Sequence, residues 1–210
     1  MQRDRRFLGL GVIAATLLVV VAGLSCGPPP EPVEPVSEPP PEPTARFGLP
    51  MESIDGVTYI VHPRLGFRLS HPGPQFVWDE DIETRICTSM QTELTVECYA
   101  LADPVTGTIF TIQINRVPSA DAADFPEFHQ GLVGGLGEQM TIARQEVSTD
   151  DAGRPVSRIL ALGTGEGVSV YAQTHPLIDQ ASGQHYAVSV FVYGSDPVGI
   201  SSLDISYDGP

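Results

Sequence analysis

The chain has 210 residues, a formal net charge of −15 and no lysine, all eleven of its basic residues being arginine. A protein this acidic is repelled by nucleic acid and by anionic lipid headgroups, so nucleic-acid binding is excluded. The missing lysine excludes Schiff-base and pyridoxal phosphate chemistry, Ser-Lys dyads and the Gly-Lys-Ser/Thr phosphate loop.

Arg3, Arg5 and Arg6 open the chain, an uncharged apolar run from Phe7 to Leu24 follows, and Gly23-Leu24-Ser25-Cys26 closes it. That order predicts a lipoprotein signal peptide over residues 1–25, with the mature protein acylated at Cys26 and anchored in a bacterial cell envelope. Gly23 stands where such signals usually carry a branched aliphatic residue, and ordinary secretion with cleavage near Ala22 or Ser25 is the alternative. A spanning helix needs about 20 apolar residues, and this run has eighteen. The Arg5-Arg6 pair is off the twin-arginine spacing by one. Gly27 is not the aspartate associated with inner-membrane retention in some bacteria, so the outer membrane is preferred over the inner.

Residues 26–46 form the expected linker. Gly27 to Thr44 holds nine of the chain's twenty prolines, interleaved with Glu31, Glu34, Glu38 and Glu42. Proline fixes φ and removes donors, which predicts a disordered, polyproline-like tether reaching roughly 55 Å. Residues 1–25 carry three arginines and one aspartate, so their removal takes the charge from −15 to about −17. The acyl chain must therefore supply the membrane attachment.

Residues 47–210 are expected to form one globular domain by length. Period-two patterning predicts strands at Val57–Val61, Gly66–Ser70, Leu94–Leu101, Ile109–Asn115, Thr141–Val147, Pro155–Leu162, Val168–His175 and Tyr186–Tyr193. The last is apolar on both faces, the mark of a central strand covered on each side. Asp79, Asp81 and Glu83 have calcium-loop spacing, but Thr84 and Met90 occupy the positions that need glycine and glutamate. A solvated acidic turn is expected there. Trp78 is placed in the core near Phe67 and Phe76.

Cys87 and Cys98 flank an expected hairpin around Gln91-Thr92, in which they would face each other. Outside the cytoplasm such a pair oxidises, so a disulfide closing about a dozen residues is predicted, worth roughly 2–3 kcal/mol. Between Ser119 and Met140, the stripe Phe125, Phe128, Leu132, Leu136, Met140 predicts a helix capped by Ser119 or Asp121, with Pro126 in its first turn. Gly131, Gly134, Gly135 and Gly137 weaken it and are expected to mark close packing on the sheet. Asp150–Gly153 and Gln180–Gly183 predict hairpin turns.

No Gly-x-Ser-x-Gly elbow and no His-Glu-x-x-His is present. No catalytic residue and no cofactor is therefore assigned. His62 and His71 lie in adjoining early segments. His175 and His185, across the last hairpin, are the remaining candidates for a metal pair, although catalytic zinc wants three protein ligands.

Leu65-Gly66-Phe67-Arg68-Leu69, followed by Pro72 to Trp78, resembles the opening of the PsbP-like superfamily. Gly153-Arg154-Pro155-Val156 and the closing Leu203-Asp204-Ile205-Ser206-Tyr207 are similar to later parts of the same pattern, and the resemblance covers most of residues 57–207. It implies an α+β fold: a mostly antiparallel sheet between helical layers, in a family that includes bacterial envelope lipoproteins. It carries over no catalytic residue. Only Ser195–Leu203, with Pro197 and Gly199 inside it, is available for the second helical layer.

Two functions are compatible with these features. The first is a lipid-anchored, non-enzymatic adaptor that engages an envelope protein. The alternative is an envelope small-ligand or metal-binding receptor, or an enzyme, using an acidic pocket built from Asp79, Asp81, His175 or His185.

Overall fold

The computed structural model describes residues 48–121, 124–164 and 167–210. The predicted signal peptide, Cys26 and the linker to residue 46 lie outside these residues. In chain order the elements are β1 (Met51–Ile54), β2 (Val57–Val61), β3 (Arg68–Ser70), β4 (Val77–Trp78), α1 (Glu80–Met90), β5 (Thr95–Ala102) and β6 (Ile109–Arg116). Then come α2 (Phe125–Gly137), β7 (Thr141–Thr149), β8 (Pro155–Leu162), β9 (Ser169–Ile178), β10 (His185–Gly194), α3 (Pro197–Ser201) and β11 (Tyr207–Asp208). The strands make two antiparallel sheets, β4-β5-β6-β10-β9-β8-β7 and β1-β2-β3-β11. The expected α+β class with mostly antiparallel sheets is thus present.

The doubly apolar segment is the central strand of the larger sheet. β10 pairs with β6 on one side and β9 on the other. Its Tyr186, Val188, Val190 and Val192 join Ile60, Phe67, Leu69 and Ile112 in the main core. Phe191 and Tyr193 point the other way, toward Met90, Leu132, Leu136 and Met140. Burying each of these side chains stabilises the fold by about 1.5–3 kcal/mol. Two clusters on opposite faces account for the loss of polar alternation.

The two covers differ, which corrects the expectation of a sheet between helical layers. One face carries α2, with α1 against β5. The other is covered by the four-stranded sheet, with α3 reduced to five residues. Pro197 is tolerated at the start of α3 but nowhere deeper in a helix. Gly194 lets that short helix seat, since a Cβ there would stand 2.7 Å from Ile200 Cγ2. The C-terminal segment is fastened by Ser70, whose Oγ donates to Asp204 O at 2.9 Å and accepts from Ser206 N at 2.8 Å. Trp78 is half-buried against the main core and meets Gly48, whose Cα could carry no side chain there.

The disulfide between Cys87 and Cys98 forms, with Cα atoms 5.6 Å apart, but the hairpin that was to carry it does not. Cys87 lies on α1 and Cys98 on β5. The acidic cluster read as a solvated turn opens this helix instead. Asp79 Oδ1 caps it by accepting from Ile82 N at 2.9 Å, and Glu80, Asp81 and Glu83 sit where a helix N-terminus favours negative charge. α1 buries no residue fully. The cap, the disulfide and the bond from Ala100 N to Glu83 at 3.1 Å hold it on the sheet.

α2 is the reverse case. Asp124 stands at its N-cap without a side-chain bond, Ser119 and Asp121 do not cap it, and Pro126 is tolerated in the first turn as predicted. Its hold comes from the apolar stripe and from His129, buried and hydrogen-bonded to Ser157 Oγ at 2.6 Å. Of the four glycines only Gly137 approaches the sheet, where a Cβ would stand 3.8 Å from Ile142 Cγ1. A Cβ at Gly131, Gly134 or Gly135 would meet nothing within 4 Å, because the stripe turns them to the open side. Both predicted hairpin turns are present, with Gly153 at φ 77° and Gly183 at φ 68°.

Candidate binding groove

Tyr171, Gln173 and His175 alternate along β9 on the face toward β11. This groove of about 390 Å³ lies between the β7–β8 turn, β9 and the C-terminal segment, and its lining includes Asp150, Arg154, Arg158, Gln173, His175 and Tyr207. Gln173 is 3% exposed and fully committed: its Oε1 accepts from Tyr171 Oη at 3.1 Å, and its Nε2 donates to Ile205 O at 2.9 Å. The second amide hydrogen points to His175 Nε2, also at 2.9 Å. An amide nitrogen has nothing but donors. His175 Nε2 therefore accepts, and the ring's hydrogen sits on Nδ1.

That Nδ1–H has no hydrogen-bond partner among the described residues, and neither does Tyr207 Oη. The two rings stack, centroids 4.1 Å apart and 15° from parallel. Arg154 lies over the Tyr207 ring at 5.1 Å and binds Asp150 Oδ2 through Nε at 2.8 Å. Burial drives the His175 imidazole down to about 3, so it enters neutral. Burial likewise raises the Tyr207 hydroxyl above its ordinary range. Neither group is a general base near neutral pH. The groove is lined by hydrogen-bond donors and carboxylates.

A second polar cluster surrounds Glu97. Its Oε2 accepts from His62 Nε2 at 2.8 Å and from Tyr99 Oη at 2.6 Å, and its Oε1 accepts from Arg64 Nη2 at 2.6 Å. His62 Nδ1 accepts from Leu65 N at 3.0 Å, so both ring nitrogens are used. The hydrogen bond from His62, aided by those from Tyr99 and Arg64 against the opposing effect of burial, holds the Glu97 carboxyl down at about 2. A cavity of about 400 Å³ adjoins this cluster beside Leu49, Pro50 and Pro63. Both oxygens of Glu97 and both ring nitrogens of His62 are engaged, and the cluster ties the β2–β3 connection to β5.

The predicted metal pair is not brought together. In the β9–β10 register His175 faces Val188 and His185 faces Ile178, an offset of three residues. Side chains alternate, so the two point to opposite faces of the sheet, about 10 Å apart along the strand. His185 Nδ1 instead accepts from Ala120 N at 2.7 Å and pins the approach to α2. His62 and His71 stand at opposite ends of the β2–β3 pairing. Asp79 is spent on capping α1, Asp81 is exposed on its first turn, and neither lines the groove. Among the described residues no group of three or more His, Cys, Asp or Glu is placed to hold a metal ion.

Sequence reasoning missed Gln173 and Tyr207 as partners of His175, and Glu97 as the partner of His62. One signal was present: Tyr171, Gln173 and His175 are polar at alternate positions of a strand whose other positions are small or apolar. No family model matches the chain, and no curated protein matches it.

Proposed function

We propose that this protein is a non-enzymatic binding module, held at the envelope surface by an acylated Cys26, that engages a protein partner. In this reading it is a PsbP-like envelope lipoprotein; the mostly antiparallel sheet supports that kinship, while the four-stranded sheet stands where the kinship implies a second helical layer. The partner-binding claim is carried by two turns of the same sequence at one end of the larger sheet. Asp103-Pro104-Val105 follows β5, and Asp196-Pro197-Val198 leads from β10 into α3. In each, the aspartate Oδ1 accepts from the valine N–H, at 2.8 Å and 3.0 Å. Proline fixes the intervening φ.

The valines are held out into solvent, 89% and 74% exposed. Because β6 and β10 are neighbours, the turns flank one shallow cavity of about 270 Å³ whose lining includes Phe76, Ile200 and Leu203. A single exposed valine is ordinary. Two valines presented by the same rigid device beside an apolar-floored cavity fit a docking end. Residues 1–47 carry four arginines and five acidic groups, so −14 of the −15 lies in residues 48–210. Such a surface suits a protein with an apolar spot inside a basic rim and is repelled by an anionic bilayer.

A photoreactive residue at Val105 or Val198 of the full chain in intact cells tests this, with Val147 on β7 as the comparison. Both tips are expected to give the same adduct, Val147 to give none, and Val105→Asp to weaken the adduct formed at position 198. Different adducts from the two tips, or equal yield at Val147, contradict the docking end. Cys26→Ser tests the anchor separately: fatty-acid labelling and membrane partition should both disappear.

A further inference from the structure

We infer that the Cys87–Cys98 disulfide is a redox latch: its reduction by a dithiol releases α1 from β5 while the rest of the domain stays folded. The inference goes beyond the docking end at the Asp-Pro-Val turns and does not depend on it. α1 buries no residue fully, whereas α2 buries Phe125 and His129. Besides the disulfide, α1 is tied to the sheet by a few contacts at its two ends. Glu83 accepts from Ala100 N at 3.1 Å, Met90 O accepts from Gln113 Nε2 at 3.0 Å, and Met90 Sδ accepts from Tyr193 Oη at 3.3 Å. Ile82 and Ile86 are only partly buried. A helix of this length is marginal by itself in water, so without its cross-link α1 falls at the low-stability end of the fold.

What the helix covers gives the latch its consequence. β4 pairs only with Leu101 and Ala102 of β5, so among the described residues β5 from Thr95 to Ala100 has no strand on the side away from β6. Glu83 takes the outward Ala100 N–H in a strand's place. An uncovered strand edge is a template for pairing, and α1 is its cover. The disulfide is open to a reagent: Cys87 and Cys98 are both partly exposed and line a cavity of about 240 Å³ with Thr84, Thr88 and Gln91. A thiolate of the dithiol attacks one Sγ, forming a mixed disulfide and expelling the other Sγ as a thiolate that takes up a proton. The second thiol then attacks the reagent's own sulfur and expels the remaining cysteine. Two electrons and two protons pass to the cysteines, and the dithiol becomes a disulfide.

The test is amide hydrogen exchange of the acylated full chain in detergent before and after dithiothreitol, with alkylation of Cys87 and Cys98 read by mass. Dithiothreitol should reduce the disulfide without denaturant. Exchange over Glu80–Met90 and at Ala100 should then rise by roughly thirtyfold or more, the worth of a cross-link closing a loop of this length. In the same reduced chain β10 should stay protected and exchange far more slowly than α1. A Cys87→Ser/Cys98→Ser double variant should show the fast α1 exchange with or without dithiothreitol, the protection of β10 certifying that it folds. A disulfide that is reduced only in denaturant overturns the inference. Reduction with α1 exchange unchanged overturns it as well, because the remaining ties would then suffice. So does exchange of α1 and β10 at one common rate, because the chain would then open as a whole.

Discussion

His62 and His175 are equally buried, each 2% exposed, yet they do opposite things. His62 has both ring nitrogens engaged, one by Leu65 N–H and one by Glu97, and so closes a structural knot. His175 has one nitrogen engaged by Gln173 and one left over. Burial by itself does not say whether both ring nitrogens of a histidine are engaged. The difference lies in where each donor and acceptor goes.

The largest effect is expected at His62. His62→Phe removes a principal partner of Glu97 and leaves a half-buried carboxylate under-bonded; about 3 kcal/mol of stability should be lost, read by denaturant unfolding. A loss below about 1 kcal/mol would mean the knot is not structural. Acid titration sharpens the contrast next. The folded Glu97 lies at about 2, below its unfolded value of 4.5, so its contribution is present above pH 4.5 and is lost as pH falls toward 2. The folded His175 lies at about 3, below its unfolded value of 6.5, so its contribution is complete above 6.5 and is lost as pH falls from there toward 3. His175→Phe should therefore reduce the slope of the stability profile between pH 6.5 and 3, leaving below pH 4.5 the fall that belongs to Glu97.

Smaller effects follow. Arg64 is 47% exposed, so Arg64→Met should cost no more than about 1 kcal/mol despite its short bond to Glu97. Tyr207→Phe deletes only an orphan hydroxyl, and in unfolding experiments without ligand it should be neutral or slightly stabilising. A clear destabilisation by Tyr207→Phe would mean that the hydroxyl has a structural partner, and the contrast between the two histidines would narrow.

Much of the sheet was legible in the sequence, because period two survives wherever one face is wetter than the other. β2 and β8 run over the residues their patterning indicated, and β10 declared itself central by being apolar on both faces. β1, β4 and β11, with two to four residues each, are too short to show a period. α1 was misread because its acidic first turn resembles a loop and its exposed body lacks a strong apolar stripe. Asp79 followed by three acidic residues was the helix-start signal that went unused. The cysteine pair was legible as a pair, but a disulfide from helix to strand satisfies the same spacing as one across a hairpin. The histidine pairing failed on register: a shift of three along β9 and β10 sends the two rings to opposite faces. Gln173 and Tyr207, which decide what His175 can do, are joined to it by tertiary contacts that spacing along the chain does not reveal.

The two histidines also differ in which nitrogen carries the hydrogen, and this tests the account most directly. Long-range 15N–1H NMR of the imidazole rings near neutral pH should show His62 protonated on Nε2, with Nδ1 accepting from Leu65 N–H. It should show His175 protonated on Nδ1, with Nε2 accepting from Gln173. Opposite tautomers would establish that equal burial conceals opposite hydrogen-bond accounts. A hydrogen on His175 Nε2 would contradict the claim, because His175 would then present no unpartnered donor.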